Sequence, residues 1–305
     1  MFGNIMTVGS YVFILFILIA VGFVCNKIKL LTLSGVKDMT NFVLYIVTPC
    51  VLINSYQREF DKGMLFGLLA TIAATILSFA INILLAHIFV RDKDKRREKT
   101  LIFGSVFSNC GYMSLPLQSA LLGKEGVFYG ATYIAIFQVI LWTYGIIEMS
   151  RDSKNISVKK IIVNPGVIGT LIGLIIFLLS VKIPFVVSEP IGFLASLNTP
   201  IPMVIVGFHL ANASLKIKGA SAYVSMFLRL VVSPLIMLGG LYLFGIRGSV
   251  LIACVIAASA PSAAVTAMFS EKFGGDTGLS SAMVSLTTLI SIVTMPIVIG
   301  LSTMV

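Results

Sequence analysis

Asn109, Gly111, Ser114 and Pro116 stand together in "SNCGYMSLPL", residues 108–117, inside an apolar run from Leu101 to about Leu122. A helix in lipid needs all its backbone hydrogen bonds, so polar and helix-breaking residues at its centre are costly. An amide, hydroxyls and freed backbone groups at that depth would form a small polar site whose donors suit an anion. "AASAPSAAVTA", residues 257–267, has the same character around Pro261. Proline lacks an N–H and frees the carbonyl one turn earlier, so Pro116 and Pro261 are both expected to break their helices. Two such breaks, face to face, would gather helix N-termini, N–H groups and carbonyls around one volume. The candidate substrate-binding residues are Asn109, Cys110, Gly111, Ser114, Ser259 and Ser262, with Ser108 and Thr266 as further residues able to line the site.

Other residues carry weaker signals. Arg229 is the one basic residue well inside an apolar run. A charge there is a functional candidate by default, unless it lies near the membrane surface and pairs with carbonyls or headgroups. His209 could titrate near neutral pH, or pack at the edge of a pore. Arg229 and His209 are therefore accessory candidates, whereas His87 and Glu148 lie near run ends and read as interfacial. Neither break contains Asp or Glu. That disfavours coupling through carboxylate ligands, although carbonyls and hydroxyls alone can bind sodium. The pattern calls for no cofactor and no metal. An intramembrane hydrolase using Ser114 with His87 or His209 would need a nucleophile–base pair, and neither GxSxG nor HExxH occurs. Cys25, Cys50, Cys110 and Cys254 are scattered through apolar runs without a CxxC pair and read as small buried residues.

The elements that must carry these residues follow from composition. Hydrophobic residues make up 58% of the chain and charged residues 11%, a polytopic membrane composition. Ten apolar runs approach bilayer length: about 8–26, 39–55, 64–90, 101–122, 127–149, 164–182, 190–213, 220–245, 248–270 and 277–303. The first has neither a basic segment before it nor a small-residue cleavage site after it, so it reads as a span and not a cleaved leader. The net charge of +10 sits in short loops and argues for membrane topology, not nucleic acid. Odd-numbered loops hold 16 Lys and Arg, including Lys154, Lys159, Lys160 and Lys216, and even-numbered loops hold 5. The expected orientation puts both termini outside and "RDKDKRREK", residues 91–99, in the cytoplasm. The multi-pass protein is expected in the cell membrane.

A shift of 151 residues relates the chain to itself. Thr48-Pro49 meets Thr199-Pro200, the fifth run begins near Gly126 and the tenth near Thr277. Pro49 to Cys110 and Pro200 to Pro261 are both 61 residues. Five spans in each half, 1–150 and 151–305, force the halves into opposite orientations. Inverted repeats with discontinuous helices mark secondary transporters, with substrate near the midplane.

The motifs resemble those of the auxin efflux carrier family, which includes the plant PIN-FORMED auxin exporters and bacterial carriers of small carboxylates. Asn109, Gly111, Pro116 and Leu117 match the family's fourth-span pattern, with Ser114 where many microbial members have a second Gly. "VTPCVLINS" (47–55), "NPGVIGTLIGL" (164–174), "RLVVSPL" (229–235) and "APSAAVTAMFSEKFGGD" (260–276) are similar to its other spans, and the likeness covers essentially the whole chain. The resemblance implies an all-α protein of ten transmembrane helices in two inverted repeats. Spans four and nine would be broken and cross, as in the sodium/proton antiporter and bile-acid symporter fold. It implies a scaffold from about 8–55 and 164–213, and an elevator-like transport domain from about 64–149 and 220–303. The implied partners are a small organic anion, often a carboxylate held by Asn109, the lipid bilayer, and a second copy joined through spans two and seven. A sodium- or proton-coupled organic acid symporter is the alternative, and the hydrolase a remote one.

Overall fold

A computed structural model describes residues 2–151, 164–212, 215 and 217–305. Lys154, Lys159, Lys160 and Lys216, used above for orientation, lie outside the described residues. The chain is all-helical. In order come α1 (Phe2–Lys27), α2 (Leu33–Tyr56), α3 (Lys62–Phe89), α4 (Lys95–Val106) and α5 (Cys110–Ser150). Then follow α6 (Pro165–Leu178), α7 (Phe185–Asn212), α8 (Ala220–Leu243), α9 (Gly248–Ser259), α10 (Val265–Lys272) and α11 (Thr277–Ser302).

Among the described residues seven helices are long and apolar enough to cross a membrane, namely α1, α2, α3, α5, α7, α8 and α11. The sixth expected run appears as the shorter apolar α6, and the ninth is divided into α9 and α10. The fourth run is divided between α4 and the first arm of α5. That arm meets the second at Gly123, whose φ of 61° and ψ of −148° suit only glycine.

The prolines are handled locally. Pro49, Pro116 and Pro234 each follow, by two residues, a widened turn of five residues, at Val43–Val47, Cys110–Ser114 and Leu228–Val232. Each turn contains the residue four before the proline, whose carbonyl would otherwise meet the ring. Pro116 therefore does not break its helix, contrary to expectation. The break comes earlier, at 107–109, and the second lies at 260–264 with Pro261 inside it.

Two close helix pairs rest on glycines. α1 packs on α7 where a Cβ at Gly22 would lie 2.1 Å from the Val204 carbonyl oxygen, and one at Gly207 would lie 1.9 Å from that of Ile19. α2 packs on α6 where a Cβ at Gly169 would lie 2.9 Å from the Pro49 Cα. Close approach of this kind is how helices associate in lipid, where burial of apolar surface drives nothing. The first break is held by its own Phe107, packed with Phe103, Phe137 and Phe79 at ring distances of 4.5, 5.7 and 6.0 Å.

The loop between α3 and α4 is tied down by Asp92. Its carboxylate accepts from Arg97 Nε and Ser221 Oγ, each at 3.2 Å, and from the Asp94 N–H at 3.1 Å. Partial burial pushes this carboxyl up, but the backbone N–H, the guanidinium and the hydroxyl outweigh it and hold the group below the usual carboxylate range. A lowered folded pKa means stability that is present above the unfolded value, about 3.9, and is lost as pH falls through the folded one. Asp92→Asn is thus expected to lower the melting temperature at neutral pH, with the difference from the parent vanishing in acid. A deficit that stays constant down through that window would assign the effect to shape instead of charge.

Candidate functional site at the paired helix breaks

Each break leaves helix ends whose backbone groups need partners. The carbonyls at the end of α4 are all accounted for. Phe103 O accepts from Phe107 N at 3.0 Å and Gly104 O from Ser262 Oγ at 2.8 Å. Ser105 O and Val106 O accept from Arg229 Nη1 at 3.3 and 2.9 Å. Phe107 O accepts from Ala263 N at 2.9 Å. At the other break, Pro261 O accepts from Asn109 N at 2.7 Å, and Ala258 O accepts from Arg229 Nη2. Ser108 and Ser262 face each other as a short antiparallel pairing. The two interruptions are therefore hydrogen-bonded to one another, backbone to backbone.

Arg229 is the charged centre of this junction. It is 1% exposed, on the widened turn of α8. Four of its five N–H directions are used: two on α4 carbonyls, one on Ala258 O and one on Ser233 Oγ at 2.8 Å. Its Nε is buried without an acceptor. Ser233 is held in turn by Asn82 Nδ2 at 3.0 Å, which also reaches Ser78 Oγ at 3.2 Å. Arg229 thus pairs with carbonyls, a contact the sequence reading had allowed for it.

Asn109 is 6% exposed. Its backbone is engaged at both ends, the N–H on Pro261 O and the carbonyl accepting from Met113 N at 3.1 Å. Its side-chain amide makes no capping bond to the helix it precedes. Beside it, the N–H groups of Cys110, Gly111 and Tyr112 open α5 with no backbone acceptor among the described residues, those of Cys110 and Gly111 lying near the Cys110 sulfur. A Cβ added at Gly111 would meet nothing within 4 Å, so space adjoins this helix start.

The serines divide. Ser114 Oγ donates to Ile256 O at 3.3 Å, Ser259 Oγ to the same carbonyl at 3.0 Å, and Ser262 Oγ to Gly104 O. These three, expected to line the site, are occupied in holding the break backbones. Ser108 Oγ and Thr266 Oγ1 are buried without a close hydrogen-bond partner among the described residues, and Ser108 lies beside the side chains of Tyr133 and Cys110. Cys110 is buried against the hydrophobic core. His209 is exposed on α7 with its ring edge-on to Phe208 at 5.7 Å, and no contact of its ring joins it to the breaks. His87 and Glu148 lie two residues from the ends of α3 and α5 and meet each other, 3.4 Å apart, and Glu148 also pairs with Arg151 at 3.0 Å. Ser114 bonds a carbonyl and His87 bonds Tyr144 Oη at 3.0 Å, so neither forms a nucleophile–base pair.

Gln118 escaped the sequence reading. It is fully buried, and its Nε2 donates to Ala253 O at 2.7 Å, joining the first arm of α5 to α9. A glutamine in an apolar run was the available signal.

The family profile described as membrane transport protein matches residues 7–299 of the chain. The protein is a member of this auxin efflux carrier family. The likeness to individual relatives extends over most of each chain. An uncharacterized transporter of Methanothermobacter thermautotrophicus is 22% identical over 285 residues, 92% of this chain and 94% of the relative. Another uncharacterized transporter, from Methanocaldococcus jannaschii, is 22% identical over 293 residues with the same coverage. A Rhizobium meliloti protein named as a candidate malonate transporter is 22% identical over 268 residues, 84% of the carrier and 83% of the relative. The carrier is thus a multi-pass membrane transport protein with a small-molecule substrate.

Proposed function

We propose that the protein carries small organic anions, chiefly carboxylates, across the cell membrane, with Asn109 as the residue that receives the carboxylate. The observation that carries this reading is the unshared polarity at the start of α5. Among the described residues the Asn109 amide makes no capping bond and the N–H groups of residues 110–112 lack backbone acceptors, beside open space, while Arg229 covers carbonyl ends. Donors left over and acceptors consumed favour a negative ligand. The name of the Rhizobium relative points to the same chemistry.

The carrier is read as two inverted halves, 1–150 and 151–305, of five spans each. Two features support this. Asn82 and Ser233, which touch, are 151 residues apart, the offset of the repeat. Exchange of the halves also maps the α1–α7 pair onto the α6–α2 pair, and both are closely packed. On this reading spans one, two, six and seven form a scaffold, with Tyr45 of α2 and Phe193 of α7 among exposed apolar residues available to a second copy. The remaining spans move the site as an elevator. A mass measurement in lipid bilayers decides the dimer. The termini are external and loop 91–99 is cytoplasmic. A cysteine replacing Lys95, whose side chain is 77% exposed, is expected to resist an impermeant external reagent in intact cells. Labelling from outside would reverse the orientation.

An inside-negative potential drives an anion outward by about 2.3 kcal/mol per charge per 100 mV, roughly a fiftyfold bias, so export is the default direction. The test is flux of labelled malonate and related acids in proteoliposomes under imposed potassium diffusion potentials. Movement of intact acid that accelerates with potential supports the carrier. Cleavage products, or no flux of any organic acid, would overturn it.

A further inference from the structure

We propose that Arg229 is a tethered cation that permanently fills the place a coupling ion would take, so that the carrier cycles without sodium or protons. The inference rests on the anion-carrier reading and deepens it.

α4 and α9 both finish at the paired breaks, and each helix C-terminus carries roughly −0.5 of an elementary charge. Together they amount to about one negative charge at membrane depth, where water cannot screen it. The guanidinium supplies one positive charge. Its acceptors are the carbonyls of Ser105, Val106 and Ala258 and the hydroxyl of Ser233. Unwound carbonyls and helix C-terminal ends are also the groups that coordinate sodium in carriers with broken helices. A soluble ion on such oxygens would leave and return during the cycle, and that exchange is coupling. A guanidinium on the α8 backbone cannot leave.

It cannot lose its proton either. No Asp or Glu pairs with Arg229 among the described residues. No proton-accepting carboxylate therefore faces it. Its location is fixed independently by the Asn82–Ser233 contact, which ties the acceptor Ser233 to α3. With the C-terminal ends compensated inside the protein, the N-terminal end of α5 remains for the substrate anion, whereas the N–H groups of Ser262, Ala263, Thr266 and Ala267 before and in α10 are already bonded. Arg229 is a positioning residue: it holds the breaks and sets the local charge without being required to touch substrate.

Charge accounting gives the test. If the tethered cation travels with the site and returns with it, each cycle moves only the charge of the substrate. Current and isotope flux measured together in proteoliposomes should give a ratio equal to the valence of the acid. The ratio should not change when sodium is replaced or a proton gradient is imposed. Arg229→Ala should lose transport by about a hundredfold, the scale expected when a buried charge arrangement loses one partner. Methylguanidinium at millimolar concentration should restore part of it and raise the melting temperature of this variant, while uncharged methylurea should do neither. Arg229→Lys should retain sodium-independent transport at a reduced rate and covers the case in which the alanine variant fails to fold. Parent flux of intact acid that follows a sodium or proton gradient, or an alanine variant as active as the parent without added cation, would overturn the proposal and leave the anion carrier standing. Absence of any organic-acid flux in the parent would remove both.

Discussion

Asn109→Asp is expected to abolish anion transport at neutral pH while the protein still folds. The backbone bonds of residue 109, to Pro261 O and from Met113 N, do not involve its side chain, and the amide caps nothing. The substitution therefore breaks no capping hydrogen bond and scarcely changes shape. It does turn a neutral donor into a negative acceptor facing a carboxylate. Two like charges about 4 Å apart repel by about 4 kcal/mol at an effective dielectric near 20. At about 1.4 kcal/mol per tenfold, affinity falls by about a thousandfold. Protonation of the new carboxyl relieves the repulsion, so activity should return in part as pH is lowered. Asn109→Ala should be milder, since it removes a donor without adding a charge. Liposome uptake at two pH values, with melting temperature as the folding control, gives the answer. An aspartate variant as active as the parent at neutral pH would remove Asn109 from the site.

Gly207→Ala is expected to cause the largest loss of stability among single small substitutions. The new Cβ would lie 1.9 Å from Ile19 O and 2.8 Å from Phe23 N, both backbone atoms of α1 that cannot swing aside. α1 and α7 would have to separate along their whole contact, and overpacking of this kind costs about 1–3 kcal/mol. The better helix propensity of alanine, about 1 kcal/mol, offsets only part of that. Gly192→Ala on the same helix is the matched control, because a Cβ there meets nothing within 4 Å. It should leave the melting temperature unchanged or raise it slightly. Equal effects of the two substitutions would mean that the α1–α7 contact does not govern stability.

The glycines show where local reading stops. Gly22, Gly207, Gly169 and Gly173 are ordinary small residues in apolar runs, and nothing near them in sequence names Val204, Ile19, Pro49 or Tyr56 as the surfaces they admit. Pro116 shows the reverse error, a strong local signal defused by geometry. The widened turn at Cys110–Ser114 takes the carbonyl away from the ring, so the helix passes through and the interruption moves to 107–109. Ser114, Ser259 and Ser262 were legible as polar residues at the right depth. Ser259 takes a carbonyl of its own helix, but for Ser114 and Ser262 the carbonyl belongs to a segment 142 and 158 residues away, which no local pattern names.

What the sequence by itself determined is the membrane class, the family, the approximate spans and the two regions where helices are interrupted. Hydropathy, proline, glycine and motif order act over short distances along the chain, and lipid punishes departures strongly enough to make them readable. What only the tertiary structure decided is who satisfies the interrupted backbone. Arg229 reaches carbonyls 123, 124 and 29 residues away, and Ser262 reaches one 158 residues away. The number of orphaned groups at a helix end follows from the helix itself. The identity of their partners follows from the packing register of distant segments. In this chain that register gives the guanidinium to the carbonyl ends and leaves the amide of Asn109 without a capping bond to the helix it precedes.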